Sequence, residues 1–96
     1  MRTIREEPDV QRIVDEAMER WARAENAWET VQWALAHDPT VGEPLTEGGT
    51  ARALSFQGAR SIDMPTVTVL YVIEPEFVTI HSARFEDAQA FQAGRG

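Results

Sequence analysis

The chain has 96 residues, 43% of them apolar and 26% charged, with a net charge of −7, no cysteine and no lysine. That length suits one domain with its own core, and the missing cysteines exclude disulfides, thiolate metal sites and a cysteine nucleophile. The acidity opposes general binding to nucleic-acid phosphates and favours either a basic protein partner or plain solvation.

The excess charge is N-terminal: residues 1–47 carry 11 acids against 5 arginines, and residues 48–96 carry 5 against 4. The opening MRTIREEPDV has no apolar signal-type run. No stretch approaches the roughly 20 apolar residues of a membrane span, so the expected location is the cytoplasm, with no membrane partner. Thr3–Glu6 is predicted as a short edge strand closed by Pro8, which suits a first helical turn, and Asp9 there favours the helix dipole. From Val10 the apolar positions 10, 13, 14, 17, 18 and 21 follow helical spacing, and Ala24, Trp28, Val31 and Leu35 continue the stripe towards Pro39. Two arrangements fit. One is a single helix over 9–37, whose four-and-three spacing at 10, 14, 17, 21, 24, 28, 31 and 35 suits a coiled-coil homodimer. The other is a helical hairpin turning near Arg23–Asn26. A single helix of that span would be about 43 Å long, against a radius of gyration of about 12–13 Å for such a chain. The hairpin is the favoured reading.

His37-Asp38-Pro39 ends the helices, and a Gly/Pro-rich loop follows from Pro39 to Gly49. Strands are expected at Ala51–Gln57, at Thr66–Ile73 and at Phe77–Ala83; the second is apolar on both faces, as a central strand should be. Gly58–Pro65 is a loop and Glu74-Pro75-Glu76 a tight turn. Phe85–Phe91 reads as a short terminal helix and Ala93–Gly96 as a frayed end. The expected fold is α+β: an N-terminal strand and a helical hairpin packed on a small antiparallel sheet, β-α-α-β-β-β, in one domain over 1–96.

Four segments stand in a distinctive order after the first strand and the two helices: Pro39-Thr40-Val41-Gly42-Glu43-Pro44-Leu45, then Arg52, then Val69-Leu70-Tyr71-Val72-Ile73, then Val78-Thr79-Ile80-His81-Ser82-Ala83-Arg84. In this order and spacing, over nearly its whole length, the chain resembles the RelE/ParE superfamily of toxins from bacterial type II toxin–antitoxin systems. The resemblance implies a toxin held inactive by a cognate antitoxin that wraps it, in part with a helix. It implies one of two activities. RelE-like members cut mRNA in the ribosomal A site, using lysines and arginines on the sheet and often a C-terminal tyrosine or histidine. ParE-like members inhibit DNA gyrase and lack that residue set.

Arg52 matches the cation of the first meander strand in RelE-like toxins, where it would bind the scissile phosphate and stabilise transition-state charge. Arg84 matches the family's C-terminal arginine and would hold a phosphate or an antitoxin carboxylate; its structural alternative is an ion pair with Glu86 or Asp87. His81, on the face of Phe77 and Thr79, is the general acid–base candidate. Arg60, between strands, and Trp33, off the apolar stripe, are candidate partner contacts, whereas Trp21 and Trp28 read as core. The chain departs from the RelE-like set at three points. Thr68 stands where such toxins carry an arginine three residues before the tyrosine matched by Tyr71. Ala90 and Phe91 stand near the place of the terminal tyrosine, and there is no lysine. The expectation is therefore a toxin-like protein with a protein-directed or attenuated activity. The alternatives are a ribosome-dependent mRNA endonuclease using Arg52, Arg84 and His81, and a non-toxic module that dimerises through the helical stripe. Glu74, Glu76, His81 and Glu86 match no ligand motif, so neither a metal nor a cofactor is expected.

Overall fold

The apolar stripe that begins at Val10 folds as two helices in the computed structural model, which describes residues 1–89. Helix α1 spans Pro8–Arg20 and α2 spans Ala24–His37. Pro8 opens α1 where its missing N–H is not needed, and Asp9 and Arg20 lie in the turns whose dipole each one complements. Val10, Val14, Ala17, Trp21, Ala24, Trp28, Val31 and Leu35 are all buried in the chain's own core. The stripe is thus consumed within one molecule, and the coiled-coil route to a homodimer is lost.

The hairpin turns at positions 21–23, just before the expected Arg23–Asn26. Trp21 leaves α1 in an extended conformation, with φ −121° and ψ 134°. The Ala22 N–H then donates to Asp63 Oδ2 at 2.7 Å, and the Arg23 N–H donates to the Asp63 carbonyl at 3.0 Å. Asp63 itself is left-handed, with φ 56°, a region that Asp tolerates better than most residues.

Five strands form one sheet in the order β1-β5-β4-β3-β2, where β1 is Thr3–Glu6, β2 Glu43–Pro44, β3 Ala51–Phe56, β4 Thr66–Ile73 and β5 Phe77–Glu86. Strands β3, β4 and β5 make the expected antiparallel meander, and the Pro39–Gly49 loop adds the two-residue β2. The sheet is mixed, however, not antiparallel. Strand β1 lies parallel to β5, from Thr3 opposite Phe77 to Glu6 opposite Ile80. The meander leaves the backbone edge of β5 open, and β1 satisfies it: Thr3 N–H donates to the Glu76 carbonyl and Glu7 N–H to that of Ile80. The helices and meander between them supply the long crossover that parallel pairing requires.

Both helices pack on one face, against Val67, Val69 and Tyr71 of β4 and Val78, Ile80 and Ala83 of β5. Among the described residues no helix covers the other face, which presents Ser55, Thr68, Leu70, Ser82 and Arg84. Strand β5 runs on to Glu86, past the expected Ala83. Tyr71 pairs with Ile80 and Leu70 with Ser82, which leaves His81 as an extra residue, a β-bulge. The slip sets Ala83 and Phe85 on the helix side after Val78 and Ile80. There Phe85 meets the rings of Trp21 and Trp28 at centroid distances of 6.4 and 5.8 Å. That packing commits Phe85 to the strand, so the predicted helix does not start there. Its continuation from 90 onward lies outside the described residues. Among the described residues, no helix is long and apolar enough to cross a membrane.

Candidate functional site

Arg52 pairs across the ladder with the buried Tyr71 and shares its helix-side face. Its guanidinium is taken up by backbone: Nε donates to the Gly49 carbonyl at 2.7 Å, and Nη1 to the carbonyls of Gly42 at 2.8 Å and Thr40 at 3.0 Å. Tyr71 works on the same loop. Its hydroxyl donates to the Pro39 carbonyl at 2.6 Å and accepts from the Gly42 N–H at 3.0 Å. A Cβ at Gly42 would collide with that hydroxyl and with the Ala53 carbonyl, so the close approach requires glycine. Burial raises the Tyr71 phenol above its ordinary pKa, against the opposing pull of the Gly42 amide and Arg52. Asp38 accepts from the Thr40 hydroxyl and N–H, which lower its carboxyl pKa, with Arg52 adding to the effect. Arg52 therefore acts here as a clamp on residues 40–49.

Arg84 lies on the opposite, uncovered face, across from Thr68, whose hydroxyl is 3.0 Å from that of Ser55. Its side chain is 77% exposed, and its ion partner is Glu86 at 3.5 Å, as one of the two sequence alternatives had it. The adjoining depression, about 210 Å³, is lined by Ser55, Gln57, Thr66, Thr68, Gln89 and the acids Glu86 and Asp87. These carboxylates repel a phosphate more than one arginine attracts it. His81 sits on the same strand at the bulge. Its Nδ1 lies 3.1 Å from Glu7 Oε1, and both side chains are about half exposed. A carboxylate on Nδ1 orients the imidazole and leaves Nε2 for proton transfer.

Arg60 is exposed in a short 3-10 turn, Arg60–Ile62, at the rim of a hollow of about 200 Å³ formed with Trp21, Asp63, Met64, Asp87 and Ala88. Trp33 is 64% exposed, whereas Trp21 and Trp28 are buried at 7% and 4%. It stacks on His37 with centroids 4.2 Å apart and lines an open trough with Asn26, Glu29, Thr30 and Met64.

Of the five candidate residues, then, only His81 and Arg84 share a surface. Arg52 is on the far side of the sheet, Arg60 within the β3–β4 connection and Trp33 on the outer helical layer. Sequence reasoning passed over Glu7, Asp63 and Glu29. Only the fold brings Glu7 beside His81, whereas the four-residue spacing of Glu29 and Trp33 on one helix was a readable signal; Asp63 is decided by its left-handed backbone. No family model, no curated protein and no solved structure matches the chain. What the geometry offers among the described residues is a divided surface: an acidic helical layer with one exposed indole, and a hydroxyl-rich sheet face with Arg5, Arg84 and one oriented histidine.

Proposed function

We propose that this chain is the toxin-like member of a type II toxin–antitoxin pair, directed at a protein target and held inactive by a cognate antitoxin. The order of strand, two helices and three-stranded meander, on which the resemblance to the RelE/ParE superfamily rests, supports the lineage. The observation that carries the choice of a protein target is the dispersal of the cations. Arg52 is bound to three backbone carbonyls on the helix side, and Arg84 sits on the opposite face beside Glu86. Scissile-phosphate chemistry needs charges that converge on one phosphate, and these two cannot. The ParE-like activity makes DNA gyrase the first target to assay.

The test is controlled expression in bacteria with and without the product of the neighbouring reading frame, alongside mRNA cleavage on programmed ribosomes and gyrase supercoiling. The expected result is growth arrest, relief by the neighbouring product, and intact mRNA. Cleavage that disappears in an Arg84→Ala, His81→Ala variant would replace this reading with the endonuclease. Unimpaired growth on expression alone would replace it with a non-toxic interaction module.

A further inference from the structure

The molecule contains a worked example of arginine recognition in its own core margin. Arg20 lies over the Trp21 indole at 4.6 Å, and its Nη2 is 3.8 Å from Asp87 Oδ2, while Asp87 Oδ1 accepts from the Trp21 Nε1–H at 2.9 Å. An aromatic face and a carboxylate hold one guanidinium between them. Arg5 also lies over an aromatic ring, that of Phe77, at 4.5 Å.

Helix α2 carries the same two parts on its outer side. Glu29 and Trp33 are four residues apart, which makes them neighbours on the helix surface, and both line the same trough of about 500 Å³. The indole is held in place: the His37 ring stacks on it, and His37 Nδ1 lies 2.9 Å from the Trp33 carbonyl. No Arg or Lys occurs anywhere from Ala24 to His37. Glu25 and Glu29 make no ion pair among the described residues. The charge of this surface calls for a cation, and its geometry calls for a flat one, since a guanidinium stacks on indole and engages a carboxylate through two N–H groups, which an ammonium cannot do. Met64, across the trough, gives apolar cover to an aliphatic stem.

We propose that Trp33 and Glu29 form a cradle for an arginine side chain of a basic segment on a partner protein. The inference goes beyond the toxin reading and does not depend on it; a failure of growth arrest would leave it untouched. Nucleic acid is disfavoured as the occupant, because a net charge of −7 repels phosphates.

The probe is an acetylated twelve-residue peptide of alanine, leucine and arginine, with twins in which each arginine is lysine, citrulline or glutamate. It is titrated into the protein while the three indole N–H signals are followed by NMR, at low and high salt. The Trp33 signal is expected to move while those of Trp21 and Trp28 stay. The lysine peptide should bind several-fold more weakly, and the citrulline and glutamate peptides should not bind. Trp33→Leu should weaken binding roughly 10-fold and Glu29→Gln roughly 3-fold. Both side chains are exposed, and unchanged circular dichroism and melting will establish that the variants fold. An unmoved Trp33 signal at saturation, full affinity in Trp33→Leu, or equal binding of the lysine peptide would each overturn the proposal. So would a movement of the Trp33 signal with a single-stranded oligonucleotide in place of the peptide.

Discussion

Tyr71 and Arg52 fasten the segment after α2 to the sheet from two neighbouring positions, and both can be tested one residue at a time. Tyr71 is the chain's single tyrosine, so tyrosinate absorbance reports on it alone. Its folded pKa is raised above the ordinary 10.0 by burial. The fold therefore holds the phenolic proton more tightly than the unfolded chain does. That stabilisation is complete below pH 10 and is lost as pH rises through the higher folded value. An alkaline titration of the native protein should show a midpoint above that in denaturant, and Tyr71→Phe should flatten the alkaline loss of stability. Arg52→Ala removes the donor to two partly buried carbonyls and one exposed one, and a loss of about 2 kcal/mol is expected. That corresponds to a fall in Tm of roughly 8–16 °C by thermal melting. Arg84→Ala, on an exposed ion pair, should change stability by less than about 0.5 kcal/mol. Equal effects would contradict a structural role for Arg52 and a surface role for Arg84. The placement of Arg52 was legible in outline, because alternation sets it with Leu54 and Phe56 on the apolar face. Its partners were not, since backbone carbonyls in a loop leave no mark in the amino-acid code.

At the scale of elements, the bulge in β5 shows how much one extra residue decides. The apolar positions 78, 80, 83 and 85 are spaced two, three, two, and that slip is a readable sign of an irregular strand. A reading by regular alternation ends the strand at Ala83 and hands Phe85 to a helix. Deleting His81 should leave Val78, Ile80, Ala83 and Phe85 in phase and regularise the ladder. The variant is expected to fold with a loss of no more than about 1 kcal/mol, measured by urea denaturation. Collapse of the fold would mean that the bulge has a structural role of its own. The turn between α1 and α2 is the opposite case. The four-and-three spacing runs through Trp21–Ala24 without interruption, so nothing local marks the break. The signal sits 41 residues away, in the left-handed Asp63 that captures two amides of the turn. Asp63→Ala should loosen the hairpin and raise amide exchange at Ala22 and Arg23.

The whole molecule is a two-layer α+β sandwich whose helical stripe serves its own core. Leu35 is fully buried, and Leu35→Ala should cost about 2–5 kcal/mol. The melting temperature of both forms should be independent of protein concentration. Concentration-dependent melting would instead point to subunits joined through that stripe. Element order and class could be read from periodicity, but the parallel pairing of β1 could not, because an edge strand of four residues carries no sign of its neighbour's direction. That pairing has a consequence for how the protein is made. Positions 3–6 are synthesised long before their partners, 77–80. Strand β1 must therefore wait, unpaired, until residues 77–80 have been made. Closing so distant a contact is the slow part of folding such a topology. A nascent chain stopped anywhere before Phe77 can build its helices but cannot seal its sheet, so full closure comes only once β5 has been made.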